Sequence, residues 1–361
     1  MTETLLVNTS DFADVTLVNK DDEILSEGFI RCKVGPWALT ANNVTYMVTG
    51  HTIGYWHYFD PNAYGISTQT QGRMPVWGYA EVIESRCDDV EVGKVIYGFL
   101  PITQTFDMKP TKLSRSGFED GNDHRVPLHS LYNRYTFIES DPSFGLHKDL
   151  QPVLRPLFTT SFLIDDFLDS ENYFGAEQVL ILSASSKTAL GTAYCAKALG
   201  AVKVTALTSE NNKAFTQGTG FYDLVETYDS VTDLNPDVKT VIVDMSGNTQ
   251  LLSTLIEHFE ENLTYVCRVG LSHWDAEGSP LPQTETPIQF FFAPDQAKKR
   301  IAEWGGAAFA QKMGERWVPF LSSASEWLTV EKAEGASAIL KTYKDVLNGN
   351  AMPDKGFLFT L

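Results

Sequence analysis

Cysteine is scarce in this sequence of 361 residues, with Cys32, Cys87, Cys195 and Cys267 far apart and no C-x-x-C pair among them. That spacing argues against a structural zinc knot and a disulfide framework, and leaves buried free thiols of a reducing compartment as the expectation. Long apolar runs are missing too. No stretch approaches the roughly 18 residues needed to span a bilayer, and the start, "MTETLLVNTSDFADV", has neither a basic n-region nor a continuous apolar h-region. A cytoplasmic protein with no membrane partner is therefore expected. Positive charge is the third shortage: 28 Lys and Arg stand against 46 Asp and Glu, a net charge of -18. Such a surface repels a polyphosphate backbone, and no basic cluster offsets it, so nucleic acid is not an expected partner. No internal repeat, low-complexity segment or G-x-S-x-G elbow occurs.

What is present is an apolar fraction of 43%, enough for a sizeable core and, at this length, for two domains. From Glu27 to Val48 apolar and polar residues alternate before Pro36 and then become turn-like and briefly helical. Tyr79 to Ser85 reads as a strand, Asp88 to Gly93 as a turn, and Lys94 to Leu100 as the next strand. Residues 105–135 are rich in charge, Gly and Pro, which predicts a long irregular insertion serving as a flap, with His124 and His129 read as exposed residues of that insertion or, alternatively, as part of a lid over the site.

After an amphipathic helix near 152–178 the pattern changes. Val179 to Ser183 is a short apolar strand, Thr188 to Leu199 a helix ended by Gly200, and "AVKVTALTS" a second strand; "DLVETYD", "TVIVDMS", "LTYVCRVG" and "IQFFFAP" supply further strands. This βαβαβ order predicts an α/β fold with a doubly wound parallel Rossmann sheet beside a β-rich domain. A helix over Ala333 to Leu347 and a strand at "GFLFTL" form the tail. The expected domains are 1–155, 156–320, and a tail of 321–361 returning to the first.

The first βα turn is where a dinucleotide pyrophosphate normally sits, on backbone N–H groups that glycines allow it to approach. Here it reads "SASSKTA", and the G-x-G-x-x-G positions fall on Ala184, Ser186 and Ala189. All three are small, Ser185, Ser186 and Thr188 add hydroxyls, and Lys187 adds a charge no glycine has. The same letters also describe an ordinary capped turn with Ser185 or Ser186 as N-cap. At the end of the second strand, "LTSENNK" presents Thr208, Ser209 and Lys213, with no acid until Glu210, where a site for NAD would carry an acid; that favours a 2′-phosphate.

These stretches resemble the medium-chain dehydrogenase/reductase superfamily, especially its zinc-independent quinone-oxidoreductase and enoyl-reductase branches. "PVWGYAEVIESRCDDVEVGKVIYGFLP" is similar to the family's glycine-containing strand and G-D-x-V-x-G turn, with Lys94 where Asp is usual. "KALGAVKVTALTSENNK" is similar to the stretch that holds the NADP phosphate by a serine and a lysine, matching Ser209 and Lys213, and Tyr228 stands where the family has a tyrosine. "TVIVDMSGNTQLL" resembles the D-x-x-G strand that approaches the nicotinamide. The resemblance implies a GroES-like first domain, NADP(H) as cofactor, a small-molecule substrate and a homodimer. "ANNVTYMVTG" is similar to the pocket-lining N-P-x-x-x-Y-x-x-x-G, which makes Tyr46 the first candidate to hydrogen-bond a carbonyl oxygen as hydride arrives, with Tyr55 and Tyr79 as reserves.

The family's zinc positions carry Ala41, Asn42 and "GYAE" instead of Cys and Gly-His-Glu, and His51 and His57 lack a third ligand, so no metal is expected. Lys298, Lys299 and Arg300 read as a solvated helix start or as a hold on an acidic substrate. The reaction expected is hydride transfer to an enone, quinone or related carbonyl. A lyase or isomerase on the same fold, or a non-catalytic NADP(H) sensor, is the alternative that the missing glycines support.

Overall fold

The computed structural model describes residues 1–270 and 281–361. The chain divides into two compact units, Met1–Val153 with Thr329–Leu361, and Leu154–Leu328. In chain order the first unit begins with β1 (Thr2–Asn8), β2 (Val15–Lys20), β3 (Ile30–Leu39), α1 (Ala41–Val48), β4 (Gln71–Gly72), β5 (Pro75–Ser85) and β6 (Val95–Pro101). It continues with β7 (Thr105–Met108), β8 (Pro110–Ser114), β9 (Gly117–Asp120) and β10 (Arg134–Phe137). Then come α2 (Leu150–Ser170), β11 (Gln178–Leu182), α3 (Lys187–Leu199), β12 (Lys203–Thr208), α4 (Glu210–Gly218), β13 (Leu224–Thr227), β14 (Thr240–Asp244) and α5 (Thr249–Phe259). The remainder is β15 (Leu263–Arg268), β16 (Ile288–Phe290), α6 (Ala293–Trp304), α7 (Gly306–Trp327), β17 (Thr329–Glu334), α8 (Ala336–Leu347) and β18 (Lys355–Thr360).

The first unit is built on a sheet ordered β17-β18-β3-β5-β6-β10-β9-β8, with β7 also on β3, and on a smaller sheet β2-β1-β4. The tail joins it through β18, antiparallel to β3 with Leu358 opposite Ala38. Strand β3 does not stop at Pro36: it passes through a cis Gly35–Pro36 bond and a register shift between Val34 and Trp37. The tail helix starts at Ala336, later than Ala333, because residues up to Glu334 pair with β18.

The segment 105–135, expected to be irregular, is sheet over most of 105–120 and irregular only over 121–133. Strands β7, β8 and β9 pair in turn with β3, with each other and with β10. What misleads is its charge, since Arg125 and Asp120 are both buried, joined at 2.8 Å. Neither histidine lies in a loose flap: His124 packs edge-on to Tyr64 at 5.2 Å, and His129 Nδ1 accepts from the Leu131 N–H at 3.3 Å.

The second unit carries a parallel sheet ordered β13-β12-β11-β14-β15-β16. Central strands β11 and β14 are buried at every residue, as parallel strands covered by helices on both faces must be. Leu180, Leu182, Ile242, Leu252, Leu255 and Phe259 form the centre of one core layer. Helix α3 approaches α2 closely at Gly191, where an added Cβ would meet Ser161 Oγ at 2.6 Å.

Candidate functional site

In a doubly wound sheet the connection reverses direction between the first strand and the fourth, and the crevice at their carboxyl ends is where ligands bind. Here those strands are β11 and β14, neighbours in parallel register from Gln178 opposite Thr240 to Leu182 opposite Asp244. The turn after β11 and the strand ends on either side define the candidate site.

The chain bends at Ser183, whose φ of 51° is the left-handed conformation that a glycine would adopt freely. The sequence register placed the first glycine equivalent at Ala184; the structure places the bend one residue earlier. Ala184 is fully buried and fixed on both sides, its N–H donating to Leu207 O at 3.1 Å and its carbonyl accepting from the Tyr222 hydroxyl at 2.7 Å. Its smallness therefore serves packing. Ser186 is the N-cap of α3, its hydroxyl accepting from the Ala189 N–H at 3.3 Å. Ser185 Oγ accepts from Asn212 Nδ2 at 3.0 Å, tying the turn to α4. Ser186, Lys187 and Thr188 are half-buried and open the helix, while Ala189 is buried beneath them. Gly191, two residues further on, is turned towards α2, where an added Cβ would meet Ser161 and Phe158.

At the end of β12, Ser209 caps α4 without a side-chain hydrogen bond, and Thr208 Oγ1 is buried without a partner. Lys213, on the first turns of α4, is ion-paired to Glu226 of β13 at 3.2 Å. Tyr228, just beyond β13, reaches the bend itself, its hydroxyl 3.4 Å from Ser183 Oγ. Burial raises the Tyr228 pKa, against a smaller lowering by Ser183. The sequence reading missed Ser183, Asn212 and Glu226; only Glu226, alternating out of a short strand, carried a signal.

Two further residues lie at the carboxyl ends of β14 and β15. Asp244 Oδ1 accepts from the N–H groups of Ser246 and Gly247 at 2.8 and 3.0 Å and from Ser246 Oγ at 2.6 Å. Its Oδ2 is buried without a hydrogen-bond partner, 3.9 Å from Arg268 Nε. Gly270 is required beside them, since a Cβ there would stand 2.7 Å from Met245 O.

The tyrosines of the first unit are core residues. Tyr46 packs on Tyr55 at 4.7 Å and on Phe99 at 5.3 Å, and its oxygen accepts from Trp77 Nε1 at 2.9 Å. Burial raises its pKa well above the usual phenol value. Tyr55, hydrogen-bonded to Tyr132 at 2.9 Å, is pushed up to about 12 by burial. Tyr79 donates to Lys148 O at 2.9 Å. Among the described residues no three His, Cys, Asp or Glu side chains gather as a metal site. Arg300 is held by Asp166 and Glu303, each at 2.6 Å.

The family described as a protein of unknown function, DUF2855, matches residues 37–352, and the chain belongs to it. No curated protein matches the sequence. The fold is that of the medium-chain dehydrogenases/reductases. CurA from Vibrio vulnificus, solved in complex with NADPH, is 12% identical with a TM-score of 0.62, over 99% of this chain and 98% of that one. YhdH from Escherichia coli K-12 with bound NADPH is 15% identical, TM-score 0.57, over 99% of each chain. The quinone oxidoreductase from Coxiella burnetii is 12% identical, TM-score 0.53, over 100% of this chain and 99% of that one.

Proposed function

We propose that this member of the DUF2855 family is a zinc-independent, NADP(H)-dependent reductase acting by hydride transfer on an enone, a quinone or a related carbonyl. The observation that carries the reading is the end of β12. Where an NAD site would present a carboxylate to the ribose, this chain has Thr208 and Ser209 with Lys213 one helical turn on, and the Thr208 hydroxyl is buried with no partner. The NADPH complexes of CurA and YhdH, which share the fold, support the same cofactor.

The residues present fit a dinucleotide with small adjustments. Backbone N–H groups of Lys187 and Thr188 at the start of α3 suit the pyrophosphate, and Ser209, Lys213 and Tyr228 suit the 2′-phosphate, Lys213 exchanging its carboxylate partner for phosphate. The nicotinamide, when bound, supplies the hydride. Tyr46 is the group we assign to polarising the acceptor oxygen, with Tyr55 and Tyr79 behind it; a phenol whose pKa is raised by burial keeps its proton and can donate it as a hydrogen bond. Tyr46, Tyr55 and Tyr79 are 5%, 5% and 1% exposed, and that burial favours a second reading in which the chain binds NADP(H) without turnover.

Titration with NADPH and NADH by nicotinamide fluorescence, followed by NADPH oxidation with a panel of enones and quinones, tests both readings. Tight NADPH binding with turnover is expected. Binding without oxidation of any acceptor selects the sensor, and no binding of either nucleotide ends the cofactor assignment.

A further inference from the structure

The first unit contains a cavity of about 450 Å³ that owes nothing to the cofactor reading. Its lining includes Tyr64, Arg73, Phe106 and Asn122, with Ile24 and Asp107 towards the mouth. The volume is within the roughly 300–1,000 Å³ common for small-molecule sites.

Arg73 is the anomaly. It is 3% exposed, its Nε donates to Phe59 O at 3.0 Å, and its Nη2 is buried with no hydrogen-bond partner. The guanidinium lies over the Tyr64 ring, 4.1 Å from its centroid, and 5.8 Å from that of Phe106. The Tyr64 hydroxyl is likewise buried and unpartnered. No described carboxylate forms an ion pair with Arg73. Asp120, fully buried, belongs to Arg125 at 2.8 Å and accepts at its other oxygen from the N–H groups of Lys109 and Asn122, each at 3.1 Å. Arg125 is satisfied further by Asn133, Tyr132 O and the Tyr135 hydroxyl. Two buried guanidiniums thus stand against one fully buried carboxylate, and the half-buried Asp60, whose charge favours the Arg73 cation, forms no ion pair with it. Burial pulls Arg73 down only to about 10, so it stays cationic at neutral pH.

An unpaired buried charge and an orphaned phenol beside it are each unfavourable, and one ligand resolves both. We propose that this cavity binds a small organic monocarboxylate, whose carboxylate is held by the Arg73 guanidinium and the Tyr64 hydroxyl. A planar acceptor with two oxygens matches a guanidinium edge and one further donor. The walls are mixed: Phe29, Phe106 and Ile66 give a short tail an apolar side to lie on, Thr4, Thr103 and Thr105 line the cavity too, and Ile24, 91% exposed, is an apolar side chain at the mouth with nothing over it. The mouth carries Asp21, Asp22, Glu23 and Asp107 against Lys20 and Arg31, with Glu23 and Asp107 ion-paired to those two bases, and this residual negative field opposes a multiply charged phosphate more than a monocarboxylate.

The test is calorimetric titration and thermal shift of the full chain, without nucleotide, using benzoate and 3-methylbutyrate as probes. Benzamide serves as the neutral isostere and inorganic phosphate as the competing anion. At least one carboxylate is expected to bind and raise the melting temperature, with benzamide and phosphate ineffective. Arg73→Gln should weaken it about tenfold or more, and Tyr64→Phe, which keeps the ring and removes the orphaned hydroxyl, about threefold. If Arg73→Gln does not melt cooperatively, Tyr64→Phe decides alone. No binding of either carboxylate at millimolar concentration overturns the proposal, as does equal binding of benzamide, or unchanged affinity in the variant that folds. The assay contains no NADP(H), so its failure is distinct from failure of the cofactor reading.

Discussion

Replacing Glu226 by Gln should tighten NADPH and leave NADH almost unchanged. The Glu226 carboxylate accepts from Lys213 Nζ at 3.2 Å, with the two side chains 26% and 29% exposed, so the lysine proposed for the 2′-phosphate is already occupied. Releasing a half-exposed ion pair costs roughly 0.2–1 kcal/mol. A carboxylate left within a side-chain length of the incoming phosphate adds repulsion of about 1 kcal/mol even at the dielectric of bulk water. Together these come to about 1–2 kcal/mol, so Glu226→Gln should lower the NADPH dissociation constant by about tenfold. Lys213→Ala acts in the opposite direction: it loses a charge-assisted contact of about 1.5–3 kcal/mol and leaves Glu226 facing phosphate, for a loss of about 10- to 100-fold or more. In the double variant, Glu226→Gln should restore about tenfold of that loss. Fluorescence titration of NADPH and NADH against all four proteins measures the cycle. Repeating it in 0.5 M salt should shrink every effect, because the groups are half-exposed. If Glu226→Gln leaves NADPH affinity unchanged, or shifts both nucleotides alike, Lys213 does not hold the 2′-phosphate.

Asp165→Asn should flatten the pH dependence of stability. Burial raises the Asp165 carboxyl to about 7, with the Tyr173 hydroxyl donating to it at 3.0 Å. A folded pKa above the unfolded value near 3.9 means stability is fully present below about pH 4 and lost as pH rises through 7, on the order of 4 kcal/mol in all. Melting temperatures from pH 4 to 8 should therefore fall more in the parent than in the Asn variant, and parallel slopes would count against a neutral carboxyl. Gly191→Ala should lose about 1–3 kcal/mol despite the better helix propensity of alanine, because its Cβ would meet Ser161 Oγ at 2.6 Å and Cβ at 2.9 Å; Ser161→Gly in the same chain should recover most of it in denaturant melts. Ser183→Gly should gain about 1 kcal/mol by relieving the left-handed bend, with NADPH affinity kept; a drop in stability would show that the contact with Tyr228 outweighs the backbone term. Tyr46→Phe should lower kcat with acceptors while leaving KM for NADPH unchanged, and full activity would remove Tyr46 from the chemistry.

How much of this could be read beforehand depends on whether a residue's role is set by its neighbours in sequence or by its neighbours in space. The parallel sheet was legible because strands covered on both faces must be apolar at every position, and "VLIL" and "TVIV" can hardly be anything else. The turn was legible only in part: smallness at Ala184, Ser186 and Ala189 shows in the letters, whereas a φ of 51° at Ser183 does not, since serine adopts that conformation only when the flanking strand and helix leave no other path. The segment 105–135 was misread for the opposite reason. Charge, Gly and Pro usually signal solvent, and here Asp120 at the end of β9 and Arg125 in the turn beyond it satisfy each other in the interior, so the rule that charges lie outside fails where a pair is buried together. Glu226 and Lys213 are thirteen positions apart and meet only because β13 lies beside β12 and α4 packs over them. Arg73 is the limiting case. Nothing in "QGRMP" distinguishes it from a solvated arginine; its meaning comes from Tyr64 and Phe106 walling it in and from Asp120 being committed to Arg125, a difference of one charge that exists only once the chain has folded.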